Sequence, residues 1–226
     1  FINQQRLFRA RWGYRRGAAS EEEYLELEKT IIRPEFDKLM ERLSAERIAD
    51  PLAAFRLLPC RRTGEKVKLL GPAGAEFSFR REQRPPYRSV IDYFLPESAE
   101  QNDLIGLQIV TLGQRIQKEI QELFSRDNYR DYLHLHGLAV ELTEAAAEYV
   151  QHRMQAGLSP AGGIVPATRY SFGYPCCPDL AANRTIAGLL RADEMGVEFT
   201  GDDQMVPEFT TAAFVLFNPR ADYFSL

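Results

Sequence analysis

The chain is poor in the features that mark most catalytic and structural classes. Its three cysteines are Cys60 and the adjacent pair Cys176-Cys177, which build neither a disulfide framework nor a C-x-x-C zinc or redox pair. Buried free thiols in a reducing cytoplasm are the expectation. No apolar run approaches the ~20 residues of a membrane span, and no signal peptide is visible. There is no GxxxxGK(S/T) phosphate loop, no GxGxxG dinucleotide fingerprint and no serine in a nucleophile elbow. His134 and His136 stand two apart in a helical stretch, face different directions and share no metal. A net charge of -4 argues against nucleic acid as a partner. Internal repeats and low-complexity tracts are absent too. These absences favour a ligand-binding or docking domain over a self-sufficient catalyst.

What is present is an ordinary core-forming sequence. At 226 residues, 45% apolar and 27% charged, the chain is long enough to bury a sizeable core and has a soluble globular balance. The opening 17 residues set Arg6, Arg9, Arg11, Arg15 and Arg16 around Phe8, Trp12 and Tyr14, and read as a packed lead-in with solvated charges. Ser20 and Glu23 form a capping box that opens a helix with Tyr24, Leu27, Ile31, Phe36, Leu39, Met40 and Leu43 at helical spacing. Pro34 is expected to end or kink that helix, unless it opens a second one. Short strands are expected at Ala54–Leu58, Lys66–Leu70 and Glu76–Arg80, with turns at Thr63-Gly64 and Gly71-Pro72-Ala73-Gly74. Asp103–Leu112, nearly continuous in apolar and β-branched residues, is the central-strand candidate.

Helices follow at Gln114–Phe124 and from Asn128 to about Met154. On the longer one Glu141, Glu144 and Glu148 recur at i, i+3 and i+7. Glu144, nearest the Leu142/Ala145 face, is the one expected to point inward, against a plainer reading of three solvated glutamates. Leu158–Thr168 reads as a surface loop, Asp179–Glu194 as a helix, Val197–Phe199 and Thr210–Phe217 as strands, and Asn218–Asp222 as a turn. That order predicts an α+β fold with an antiparallel sheet.

One stretch carries most of the functional signal. Arg169-Tyr170-Ser171-Phe172-Gly173-Tyr174-Pro175-Cys176-Cys177-Pro178-Asp179 combines a permanent positive charge, a glycine, three aromatic rings and two prolines. Prolines stiffen the backbone, glycine lets a partner approach it, and arginine offers a planar fork for a carboxylate. From the residues alone this is a rigid, aromatic-walled turn with one anion anchor. It suits a small amphoteric ligand, and a purely structural turn would look much the same.

The same stretch resembles the R-x-x-x-G-Y-P-x-C-P signature of the C-terminal activation domain of cobalamin-dependent methionine synthase. Leu135–Ala145 with Glu148-Tyr149 is similar to that family's long helix. Thr200–Phe224, with Met205, Pro207 and Asn218-Pro219, resembles its last hairpin, and Phe1-Ile2-Asn3 with Leu7-Phe8 and Trp12-Gly13-Tyr14 its opening segment. The resemblance spans essentially the whole chain in order.

It implies one α+β domain over residues 1–226, curved, with a twisted antiparallel sheet flanked by helices. Together with the missing methionine at position 1, it leads us to expect a piece excised from a larger multidomain chain. The implied function is to bind S-adenosylmethionine in a shallow groove and present its methyl group when oxidised cob(II)alamin is reductively methylated. The cobalamin is carried by another domain of the same enzyme, and the electron comes from flavodoxin or an equivalent donor. No nucleic acid, membrane or metal enters, the setting is cytoplasmic, and the isolated domain is not a self-sufficient enzyme.

By residue, the resemblance implies that Arg169 holds the methionine carboxylate, while Tyr223 and Phe224 contact the ligand near the chain's end. Glu144 meets its ammonium or sulfonium charge. Gly173 and Tyr174, with Ser171 in the same run, form the turn whose backbone approaches the ligand and whose tyrosine looks toward the corrin. Asn3 stands where some relatives have a ligand-contacting aspartate; the amide keeps an acceptor and loses the charge. Two alternatives share these motifs: a docking module for flavodoxin or the cobalamin domain, and a reactivator of another corrinoid protein.

Overall fold

The computed structural model describes residues 1–71, 74–159 and 164–225. Among these, six strands form one curled, wholly antiparallel sheet: β1 (Leu52–Thr63), β2 (Lys66–Leu69), β3 (Glu76–Ser78), β4 (Asp103–Thr111), β5 (Thr168–Tyr170) and β8 (Thr210–Leu216), in the order β3-β2-β1-β4-β8-β5. The short pair β6 (Glu198–Phe199) and β7 (Met205–Val206) lies apart from it. The expected central strand is β4, between β1 and β8 and buried from Ile105 onward.

Alternation along β4 explains why nearly every position is apolar. Ile105, Leu107 and Ile109 join Phe214, Tyr170, Phe172, Ile186 and Leu190 on one face. Val110 and Val215 meet Ala147, Val150 and Met154 on the other, where the Gln108 side-chain amide donates to the Ala147 carbonyl at 3.1 Å. The first face is covered by α6 (Ala182–Leu190), the second by the 29-residue α5 (Tyr129–Gly157). A strand covered on both faces has no side to leave polar.

Strand β1 is one 12-residue element, longer than the sequence suggests, because it serves two neighbours. It pairs with β4 from Leu52 to Cys60 and with β2 from Cys60 to Thr63. Pro59, which has no N–H to donate, sits beside this handover. The Gly71–Gly74 turn includes Pro72 and Ala73, and the Leu158–Thr168 loop includes residues 160–163, so both fall partly outside the described residues.

The remaining helices pack on the first half of α5. The capping box at Ser20 opens α2 (Glu21–Leu27), which runs through a π-turn over Glu28–Ile32 into α3 (Arg33–Ala45). Pro34 follows the second alternative and opens a further helix, α3. It takes a place in the first turn of α3, and the wide turn just before it removes the carbonyl clash a proline makes inside a regular helix. Phe8, Trp12, Ile32, Phe36, Leu43, Leu135 and Leu138 then form one core with Ile116 and Ile120 of α4 (Gln114–Ser125). The predicted Asp179–Glu194 helix is shorter than expected. It begins at Ala182 after a turn and stops at Leu190, where Arg191 adopts φ +55° before a 3₁₀ turn over Ala192–Met195. Among the described residues no helix is long and apolar enough to cross a membrane.

Candidate functional site

Strand alternation sends Tyr170 and Phe172 into the sheet core against Phe214 and leaves Arg169 on the α5 side. There Arg169 Nη2 donates to Glu144 Oε2 at 2.7 Å. Its other terminal nitrogen, Nη1, is buried and has no hydrogen-bond partner among the described residues. A buried guanidinium nitrogen left unpaired is costly, so a ligand oxygen there would relieve a standing penalty.

The pair borders a hollow of about 140 Å³ lined by Phe1, Asn3, Arg6, Glu141, Glu144, Ala145, Glu148 and Arg169. Its far wall is α1 (Gln4–Arg6), which Asn3 caps by accepting the Arg6 N–H through Oδ1 at 2.9 Å. Its floor is Glu141, 1% exposed, which accepts from Arg6 Nε through both oxygens (2.8 and 2.9 Å) and from Arg11 Nε at 3.1 Å. The Glu141 hydrogen bond, foremost, holds Arg6 further into its charged state, with the Glu141 and Glu144 carboxylates adding to the favourable field. Trp12 fastens the same segment to α5 by donating from Nε1 to the His134 carbonyl at 2.9 Å. Gly137 permits the close approach: a Cβ there would lie 2.8 Å from Arg11 Cβ and 3.2 Å from Trp12 Cδ1.

After Phe172 the chain makes its rigid turn. Gly173 (φ +93°) and Cys177 bond backbone to backbone at 2.8 Å, and the Cys177 N–H donates to the Tyr174 carbonyl at 2.8 Å. The Tyr174 ring is left exposed, and Ser171 is half-buried. The chain's last described residues run alongside β5. Thr168 Oγ1 donates to the Ala221 carbonyl, the Tyr170 hydroxyl to that of Asp222, and the Tyr223 hydroxyl to that of Arg169, at 3.1, 2.7 and 2.5 Å. Tyr223 stacks on Tyr170 at 5.0 Å. Its ring is half-exposed, while burial of the hydroxyl end pushes the phenol up to about 12.

Residues 4–161 and 162–226 match the family described as vitamin B12 dependent methionine synthase, activation domain. The chain belongs to that family. It is 32% identical over 254 residues to the methionine synthase of Mycobacterium tuberculosis and 31% identical over 256 residues to that of Mycobacterium leprae. Both alignments cover all of this chain and 21% of the relative, so the chain spans about a fifth of the length of these relatives. A crystal structure of the MetH reactivation domain bound to AdoHcy has the same fold, with a TM-score of 0.78 and 20% identity over 92% of this chain and 72% of that one.

Within this activation domain the expected site residues divide. Asn3, Glu144 and Arg169 line one hollow, with Tyr223 bonded to the Arg169 carbonyl, while Gly173 and Tyr174 do not line it. Phe224 turns the opposite way. It is 7% exposed in the core, its backbone bonded to Cys176 and its ring beneath the Arg88 guanidinium at 4.9 Å. The glutamate that points inward is Glu141, not Glu144, because two arginines from the opening segment neutralise it there. Arg6 and Arg11 stay exposed, as the sequence suggests, and each also pairs with Glu141. The missed contributors are Arg6, Glu141 and Glu148; the i, i+3, i+7 spacing that puts all three glutamates along one face was the available signal.

Proposed function

We propose that this chain binds S-adenosylmethionine at the Arg169 hollow and presents its methyl group for reductive methylation of cob(II)alamin carried by another domain, reactivating a cobalamin-dependent methionine synthase. The observation that carries the reading is the half-used fork of Arg169: one nitrogen pairs with Glu144, while the other is buried and unpartnered. An α-amino acid end matches that arrangement, carboxylate to Arg169 and ammonium to Glu144. Among the described residues two guanidiniums and three carboxylates line the hollow, one net negative charge, against a ligand whose carboxylate, ammonium and sulfonium leave one net positive charge.

When bound, S-adenosylmethionine supplies a methyl on a cationic sulfur that departs as a neutral thioether. The chain's residues then bind and orient, which is where rate is gained when neither partner needs a proton moved. Arg169 and Glu144 fix the amino-acid end, and the Tyr223 hydroxyl, bonded to the Arg169 carbonyl, steadies that arginine's backbone. Three buried free thiols among the described residues fit the proposed cytoplasmic setting. Calorimetric titration tests the reading. Saturable one-to-one binding of both S-adenosylmethionine and S-adenosylhomocysteine is expected, and absence of binding by both refutes it.

A second hollow supports the partner side of the proposal. About 630 Å³ in size, it is lined by Arg80, Arg81, Arg84 and Arg88 with Glu82 and the Pro85-Pro86 turn. Arg81 is tied to Asp92 and Arg88 to Glu82, while Arg80 and Arg84 make no side-chain hydrogen bond among the described residues. This surplus of positive charge suits an electron donor with an acidic docking face, flavodoxin or an equivalent. Arg84→Glu should weaken donor binding at low salt and leave S-adenosylhomocysteine affinity unchanged.

A further inference from the structure

We propose that Arg6 is a second cation for the ligand's carboxylate, and that the buried Glu141 acts through it as a positioning residue. The inference rests on the S-adenosylmethionine reading above and adds to it a residue pair from opposite ends of the domain, 135 positions apart in sequence. Three observations carry it.

First, Glu141 occupies Arg6 only through Nε. The two terminal nitrogens of Arg6 make no hydrogen bond among the described residues, and Arg6 lines the same hollow as Arg169. A guanidinium held at its Nε keeps its terminal edge free for an oxyanion.

Second, the arrangement is costly without a task. Glu141 is 1% exposed, and burying a carboxylate is unfavourable unless it is fully paired. Arg11 alone already supplies one ion pair to it. The second, Arg6, brings a charged side chain 46% exposed to the rim of a hollow that already contains Arg169. Glu141 and Glu144 each engage only part of these two guanidiniums, which leaves donors of both arginines for a ligand carboxylate.

Third, Asn3 offers its donor there. Its Oδ1 is taken by the Arg6 N–H, whereas its Nδ2 makes no hydrogen bond among the described residues. The Asn3 amide, the Arg6 edge and Arg169 Nη1 are all donors, and Glu144 and Glu148 border the same space as acceptors. The hollow therefore offers donors for a carboxylate and acceptors for an ammonium.

The test compares wild type, Arg6→Met, Glu141→Gln and the double variant by calorimetry. The two probes are S-adenosylhomocysteine and decarboxylated S-adenosylmethionine, which lacks the carboxylate. Arg6→Met leaves Glu141 paired with Arg11, and Glu141→Gln frees two half-exposed arginines into water, so both variants are expected to fold. Each should weaken S-adenosylhomocysteine by about fivefold, the size of a partly solvated charge contact. Neither should change the affinity of the decarboxylated probe. The double variant should be no weaker than Arg6→Met alone, because Glu141 acts only through Arg6.

Unchanged S-adenosylhomocysteine affinity in Arg6→Met, with normal wild-type binding, overturns this inference and leaves the proposed function standing. Additive losses, or equal losses for both probes, show that Glu141 merely supports the fold and overturn it too. If Glu141→Gln fails to fold, Arg6→Met and its rescue by Arg6→Lys decide the matter. A wild-type chain that binds neither ligand removes the underlying reading along with the inference.

Discussion

Replacing Arg169 with methionine is the sharpest test of the site, because its effects on the free and the bound protein should separate. In the free protein the substitution breaks the 2.7 Å pair with Glu144, whose side chains are 21% and 35% exposed. A pair so open to solvent is worth no more than about 1 kcal/mol. The substitution also deletes the buried, unpartnered Nη1, whose burial costs on the order of 1–3 kcal/mol. The two terms oppose each other, so the thermal midpoint should stay within about 4 °C of wild type.

In the complex only loss remains. A charge-assisted hydrogen bond to a carboxylate contributes about 1.5–3 kcal/mol, which is about a 10- to 150-fold weaker affinity. Arg169→Lys, which keeps the charge without the planar fork, should fall between. Glu144→Gln should weaken S-adenosylmethionine and S-adenosylhomocysteine by the same factor, since the ammonium is common to both and the sulfonium is not. Isothermal titration calorimetry reads the affinities and scanning calorimetry the midpoint. An Arg169→Met affinity within about threefold of wild type, with the fold intact, would refute the assignment of Arg169 to the carboxylate.

Other consequences concern the turn and the buried acids. Gly173→Ala places a Cβ 2.7 Å from Leu180 Cδ1 at φ +93°, and the backbone strain should cost about 1–2 kcal/mol in urea unfolding; unchanged stability would contradict the positive-φ requirement. Cys60 and Cys177, each pushed up to about 12 by burial, should resist iodoacetamide at pH 8 until the protein is unfolded, and labelling of the native state at the rate of a free thiol would be the contrary result. These thiols and the Tyr223 phenol keep their protons to higher pH folded than unfolded, so the unfolded chain releases them first as pH rises. Stability should therefore be level below about pH 8 and fall between about pH 9 and 12, by up to ~1.4 kcal/mol per pH unit for each buried thiol and less for half-exposed Tyr223. A urea midpoint that stays level or rises across that range would contradict it.

Features set by nearby residues were legible in the sequence. The Ser20–Glu23 capping box, the apolar run of β4 and the stripe of α5 each report contacts that a local period can encode. The choice between Glu141 and Glu144 was not of that kind. Both lie on one face of α5, and what buries Glu141 is a pair of arginines arriving from the far end of the chain. Pro34 was legible in one of its two readings, as the opener of α3, whereas the wide turn at Glu28–Ile32 that joins α2 to α3 has no local signal. The Tyr223-Phe224 pair follows elementary alternation. Neighbouring side chains in an extended segment point to opposite sides, so one ring reaches the Arg169 backbone while the other is buried against Cys176.

The size of the hollow bears on how tightly and how openly the ligand is bound. About 140 Å³ is well below the ~300–1,000 Å³ that encloses a drug-sized ligand, so under the proposed function it would take only the amino-acid end and leave the nucleoside and sulfur over the surface. For the proposed reaction that openness is required, since the methyl must be reached by a cofactor carried on another domain and a ligand sealed in a deep pocket would be shielded from it. Openness also limits affinity. S-adenosylmethionine has about 27 non-hydrogen atoms, and at ~0.3 kcal/mol per atom full enclosure would give about -8 kcal/mol, or roughly 1 µM. With only one end gripped, the dissociation constant of the isolated chain should lie at or above that value and tighten when the cobalamin-bearing domain covers the open side. A nanomolar constant for the isolated chain would mean that the nucleoside is enclosed after all, and that the surface around Tyr174 and Tyr223 closes over it on binding.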